Sequence, residues 1–461
     1  MTTRIVTDDA ASSEELTGWG RTAPTRAEVW EPRRTSDVLR LVERAAQTSG
    51  GRGIVARGLG RSYGDAAQNG GGEVVRCTQL DRILDLDVVN GTCTVEAGVS
   101  MEMLMRTFLP LGWCPMVLPG TRHVTVGGAI ASDIHGKFRH GSFADSVKQM
   151  TLVTPECGAL TVEPDSDVFW ATAGGMGLTG IVTEATLQLQ PADTAYIVVD
   201  TERAADVDDC MSRMLDGDHR YRYSVAWIDC LAGGKRLGRS VLTRGNHALL
   251  ADFTAARRAT ARQFSPRPLL SVPRWMPNGL LNPISTRAFN ELWFRKSPRN
   301  RRGDVQTITT FFHPLDAVLD WNRIYGSRGF VQYQFVVPYG AEAVVRKVLE
   351  RLSAQQCASF LAVLKRFEHD SRGLLGFPAP GWTLALDVPA SGPQVSALLD
   401  GLDSLVVEAG GRVYLTKDSR LRPELVPAMY PQLDRWREIR SALDPRHALS
   451  SDMDRRLHLT A

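Results

Sequence analysis

Three segments of this 461-residue chain hold glycines at spacings that let backbone N–H groups converge on an anion. The first, ARGLGRSYGD, sets Gly58, Gly60 and Gly64 around Arg61 and Ser62. The second runs from Leu118 to Lys137, LPGTRHVTVGGAIASDIHGK, and the third from Ala171 to Leu187, ATAGGMGLTGIVTEATL. Glycine lacks a Cβ, so turns of this kind suit close backbone approach to a diphosphate. Gly175, Gly177 and Gly180 satisfy GxGxxG, yet a doubly wound dinucleotide fold needs a helix opening within that motif. The residues that follow, IVTEATLQLQ, alternate as a strand, and the first loop likewise runs into NGGGEVV. No GxxxxGK[ST] occurs. The expectation is a clamp of glycine turns that holds one nucleotide cofactor without a helix dipole.

The elements that must position these turns follow from the patterning. Of the 41 glycines, 24 fall before residue 181, so the turn-rich part is the first part of the chain. There, short strand-like runs (GIVARG, GEVVRC, GTCTVEAG, SVKQMTLVTP, GIVTEATLQLQP) alternate with turns, and SMEMLMRTFLPLG has helical spacing. Beyond Pro191, RYSVAWIDCL, RGDVQTITTFFHP, GFVQYQFVVPYG, CASFLAVLKRF and GWTLALDVP read as strands of one sheet. AEAVVRKVLERLSA and SGPQVSALLDGLDSLVVEAGG read as helices. The fold class is α+β, with a first domain over 1–192, a second over 193–405 and a C-terminal return over 406–461. Residues 255–302 carry eleven Arg or Lys against one acidic residue among prolines and isolated apolar side chains. That segment reads as a mobile basic loop or as an apron for an anionic lipid surface.

Composition bounds the function. With 43% hydrophobic and 23% charged residues the chain can bury an enzyme-sized core, and a net charge of +3 gives no case for nucleic acid. The seven cysteines are scattered singly, so neither a metal site nor a disulfide framework is expected. The polar N-terminal MTTRIVTDDAASSEEL is not a Sec signal, and no apolar run of spanning length exists.

RGLGRSYGD, PGTRHVTVGGAIASDIHGK, GGMGLTGIVTEATL and LDPRHALSSDMDRRL together resemble the vanillyl-alcohol-oxidase (p-cresol methylhydroxylase-type) flavoproteins. In that fold an FAD domain is interrupted by a substrate domain. Within it, LTGWGRTAPT, GRSYGDAAQNGGG, DIHGK, ELWFRKS, DWNRIYG, GFVQYQFVVP, YLTKDSR and SDMDRRL are similar to the family of decaprenylphosphoryl-ribose 2-oxidases across nearly the whole chain. The resemblance implies oxidation of the ribose 2-hydroxyl of a polyprenylphosphoryl ribose to the 2-keto sugar. An NAD(P)H-dependent keto-reductase partner would then complete epimerisation to the arabinose donor of cell-wall arabinan. It also implies peripheral contact with the membrane at the cell envelope.

Roles carried by the resemblance are these. Relatives that tether FAD covalently have histidine where Arg61 stands, so FAD is expected to be non-covalent, with Gly58, Gly60, Arg61, Ser62 and Gly64 around its diphosphate. Gly120, Thr121, Thr125, Gly127, Gly128 and Ala131 form the second flavin segment, Gly177 and Ile181 its adenosine end, and Tyr414 lies beside the isoalloxazine. Lys417, His135 and Tyr63 are the expected catalytic residues, Lys417 as the cation at the flavin's pyrimidine edge. Gly136, Lys137, Trp227, Gln332, Gln334, Lys365, Thr383 and Ala385 are expected around the substrate. Gln332 and Gln334, at i and i+2, share one face of a strand and suit ribose hydroxyls. The family commonly has Asn at Thr383, Cys at Ala385 and Tyr at Phe312, and nitroaromatic inhibitors bond to that cysteine, which this chain lacks. A soluble alditol or aldonolactone oxidase, and a flavin-bound scaffold without turnover, are the alternative readings.

Overall fold

The computed structural model describes residues 11–48, 50–390 and 392–460. Most of the N-terminal segment read as lacking a signal sequence therefore lies outside the described residues. Among those described, no helix is long and apolar enough to cross a membrane.

A four-stranded sheet opens the chain, ordered Ser12–Leu16, Thr25–Trp30, Glu73–Arg76, Ile54–Arg57, with its last two pairings parallel. The helix Thr35–Gln47, which the sequence reading missed, buries Val38, Val42 and Ala45 at helical spacing. A six-stranded sheet follows, built around the long strand Ile181–Pro191, which pairs antiparallel with Thr92–Glu96, Val147–Thr154 and Trp113–Pro115. The expected helix is Met101–Phe108, capped by Ser100, whose Oγ accepts from the Met103 N–H at 3.1 Å.

The third sheet is antiparallel throughout, in the order Asn300–Thr307, Tyr196–Ala204, Ser240–His247, Tyr223–Ile228, Ala362–Phe367, Gly381–Pro389, Phe330–Pro338, Arg412–Val413. It contains the five strands expected beyond Pro191. Two corrections apply. The strand in RGDVQTITTFFHP stops at Thr307, whose side chain caps a helix over Ile308–Phe312. The basic segment 255–302 also holds a 14-residue helix, Pro283–Lys296, with Asn282 as its cap. The helices Glu342–Ala354 and Pro393–Glu408 pack Val345, Val348, Leu349, Leu352, Leu399 and Leu402 into the core shared with this sheet.

The chain then returns to where it began. Leu449 bridges Ile54 in parallel, and Asp452 accepts from the Gly70 N–H at 2.9 Å and from Thr25 Oγ1 at 2.9 Å. In the terminal helix Asp452–Leu457, Arg456 donates to both oxygens of Asp65, at 2.9 and 2.7 Å, and to Asp418 Oδ2 at 2.8 Å. This joins the first glycine loop, the segment carrying Lys417 and the last helix. Arg456→Met leaves both carboxylates without their cation, Asp418 almost fully buried, and is expected to cost about 3 kcal/mol. Urea unfolding checks this; an unchanged midpoint would show that the knot carries no stability.

Candidate active site

The three glycine segments meet. Gly58 lies so close to Thr125 that a Cβ on it would sit 2.3 Å from Thr125 Oγ1. The third segment joins the second through Gly174 N–H to Ile130 O and Met176 N–H to Ala131 O, both 3.0 Å. The expectation of a helix-free clamp is corrected here. Thr125 caps a short helix, Val126–Ala131, its Oγ1 accepting from the Gly128 N–H at 3.2 Å. The third segment, as expected, enters a strand. Gly177 has φ +77°, and among the described residues no atom lies within 4 Å of a Cβ built on it or on Gly120.

The space they face is a cavity of about 670 Å³, within the range of cofactor and substrate sites. Gly58, Gly60, Arg61, Ser62 and Tyr63 line it, with Gly120, Thr121, Thr125, Gly127, Gly128, Ala131 and Gly177. Arg61 stacks its guanidinium on Trp19 at 3.8 Å, and its buried Nε has no hydrogen-bond partner among the described residues. A buried donor left over in the wall is what an anionic ligand satisfies.

The opposite wall is one face of the eight-stranded sheet. Trp227, Gln332, Lys365 and Ala385 stand on it, and His135, Gly136, Lys137, Phe312, Tyr414 and Lys417 close the sides. Tyr414 hydrogen-bonds Ser132 O at 2.6 Å and stacks on Phe377 at 4.6 Å. Lys137 and Lys417 are half-buried, and burial pushes Lys137 down to about 7. Lys137 Nζ donates to Phe311 O, and Lys365 Nζ donates to Gly136 O at 2.7 Å and lies 3.3 Å from His135 Nδ1. Burial and then Lys417 and Lys137 hold Lys365 well below the ordinary lysine range. Burial, followed by Lys365 and Lys417, likewise holds His135 well below the histidine range, so its imidazole is neutral.

Four expected site residues do not reach the cavity. Gly64 faces the C-terminal return, where a Cβ would sit 1.8 Å from Asp418 O. Ile181 belongs to the apolar core with Val38 and Ile54. Gln334 and Thr383 lie behind His135: Gln334 Nε2 is 3.2 Å from His135 Nε2 and donates to Thr383 Oγ1 at 3.0 Å. They orient the imidazole from the rear.

One residue that the sequence reading missed is Asp387. It is fully buried, directly opposite Gln332 in the strand register, and accepts hydrogen bonds from Gln332 Nε2 and, at 3.2 Å, from Tyr325 OH. Strand parity contained the signal, since Thr383, Ala385 and Asp387 alternate onto one face. Burial lowers Lys417 and the Asp387 carboxylate pulls it back up. Lys417 Nζ lies 5.4 Å from the centre of the Tyr63 ring, and burial, then Asp387, raises the Tyr63 phenol. Outside the cavity, His140, Glu368 and His369 also approach one another, but Glu368 is already held by Arg139 and Arg366.

Residues 27–163 match the model of an FAD binding domain. The chain is 45% identical over 460 residues to decaprenylphosphoryl-β-D-ribose oxidase of Mycolicibacterium smegmatis, covering 98% of this chain and 99% of that one. It is 41% identical to an uncharacterized Streptomyces coelicolor protein, over 78% of this chain and all of that one. An alditol oxidase of a Streptomyces species is 28% identical over 39% of this chain and 43% of its own. The glycine turns, the spare Arg61 donor and the lysine beside the cradle fit FAD, which brings a diphosphate and a ring that turns anionic on reduction. The chain is an FAD-dependent oxidoreductase and belongs to the family of decaprenylphosphoryl-β-D-ribose oxidase.

Proposed function

We propose that this protein oxidises the ribose 2-hydroxyl of a polyprenylphosphoryl ribose to the 2-keto sugar, using FAD held without a covalent bond. The observation that carries the reading is the placement of Lys137, Lys365 and Lys417 around neutral His135, where the glycine cradle meets the sheet face. Bound FAD supplies the hydride acceptor. Lys417 supplies positive charge where negative charge develops. Lys137 and Lys365 attract the substrate's phosphate, and Oε1 of Gln332, without a hydrogen-bond partner among the described residues, accepts from a ribose hydroxyl. His135, fixed from behind by Gln334, keeps the sugar against the cradle. The identity to the Mycolicibacterium oxidase spans nearly the full chain, whereas that to alditol oxidase covers less than half, so the prenyl-sugar reading is preferred to the alditol reading. The ketone product calls for a second, hydride-donating reductase as partner.

Residue types support membrane contact. In helix Pro283–Lys296 only Thr286 and Asn290 are buried, while Ile284 is 81% exposed. Leu269, Leu270, Trp275 and Leu292 are exposed in the same basic segment. Apolar side chains amid cations suit the boundary of an anionic bilayer.

The main test is anaerobic bleaching of the yellow holoprotein. Polyprenylphosphoryl ribose is expected to bleach the flavin and free alditols are not, and acid precipitation should release all the flavin to the supernatant. Bleaching by alditols alone, or flavin retained in the pellet, contradicts the reading. Asp387→Asn removes the group that raises Lys417, so the alkaline loss of reduction rate should move to lower pH. Stopped-flow reduction across neutral to alkaline pH measures this; coincident profiles would dissociate Asp387 from Lys417. The holoprotein should sediment with phosphatidylglycerol vesicles, and an Ile284→Asp, Leu292→Asp double variant should remain in solution. Equal sedimentation of both would remove the helix from the contact.

A further inference from the structure

The cavity does not stop at the lysines. Two rows of side chains continue it along the same face of the large sheet. Thr201, Thr243 and Val225 pair across three neighbouring strands, and Val241, Trp227, Val363 and Ala385 pair across four. All seven line the cavity, and none is ionisable. Between the strand of Ala385 and that of Thr201 lie four strand steps, about 19 Å at the usual spacing. One end of this arm is the Lys365 and Lys417 cluster. The other is roofed by Trp293, Ser297 and Pro298, at the end of the helix Pro283–Lys296, and by Gln306 of the edge strand. Trp293, which lines the cavity there, is exposed to solvent.

A wall that is charged at one end and uncharged for the rest matches a ligand with the same division. The cofactor cradle lies on the charged side, so the apolar arm is left to the substrate. We propose that this arm is a binding channel for the first isoprene units of the polyprenyl chain. Its mouth lies under the exposed apolar end of helix Pro283–Lys296, so that the lipid enters from the bilayer side with its phosphoribosyl head leading. The proposal rests on the prenyl-sugar reading above. It adds the path and direction of the lipid, which neither the cradle nor the lysines determine.

Thr243→Trp, two strands from Lys365, places an indole in the arm and leaves the lysines, His135 and the glycine turns untouched. The holoprotein is to be assayed by flavin bleaching with decaprenylphosphoryl ribose and with an analogue carrying a single isoprene unit. Blocking the arm should raise KM for the decaprenyl substrate at least about tenfold, the scale of lost apolar pocket contacts, with kcat and flavin content kept. KM for the short analogue should stay within about twofold, below what one methylene contact contributes. If Thr243→Trp does not retain flavin, Thr201→Trp fills the same row from the neighbouring strand. Equal effects on both substrates, or none on either, overturn the channel while leaving the function intact. If the parent protein bleaches with neither substrate, the prenyl-sugar reading falls and the channel with it.

Discussion

A single guanidinium ties the site together. Arg456 reaches Asp65, 391 residues earlier, with two nitrogens, and Asp418, beside Lys417, with another contact. Around that knot the backbone closes: Tyr63 N–H donates to Thr416 O at 3.0 Å, and Gly64 fits beneath the Asp418 carbonyl with no room for a Cβ. The first glycine loop thus has two faces. Gly58, Gly60 and Arg61 look into the cavity, and Gly64 and Asp65 look to the C-terminal return. An Arg–carboxylate fork fixes orientation as well as distance, which suits a joint that must hold a cradle and a lysine in register.

The electrostatics of the cavity follow from what surrounds it. Three lysines face it or border it, while Asp387 is the carboxyl set against Lys417. Burying that much like charge costs free energy, visible in the lowered lysines and the neutral histidine. Such an arrangement is stabilised by anionic ligands, and both a diphosphate cofactor and a prenyl-phosphate sugar are anionic. Asp387 limits the loss at Lys417 while itself being pushed up by burial against the opposing pull of Gln332, Lys417 and Tyr325.

Glycines were readable in the sequence because close backbone approach has few alternatives. The three glycine-rich segments were located by residue type, and the roles of Gly58, Gly120 and Gly177 within them came from the family resemblance. The helix Val126–Ala131 was not readable: six residues with two glycines have poor intrinsic propensity, and it forms through the Thr125 cap and packing. Helix Pro283–Lys296 was hidden because the side chains it buries, Thr286 and Asn290, are polar while Ile284, Leu292 and Trp293 are exposed, which inverts the periodic signal. Lys417 has no pattern of its own and emerged only through the family resemblance. Gln334 and Thr383 were assigned to the right wall but one layer too near the ligand, because strand parity gives a face and not the presence of His135 in front.

The joint at Arg456 also has a temporal meaning. During synthesis the glycine turns leave the ribosome hundreds of residues before Tyr414, Lys417 and Arg456. Until those residues arrive, the first loop lacks its floor and the cavity lacks a side. The cavity is therefore complete only when the C-terminal return has docked on the first loop.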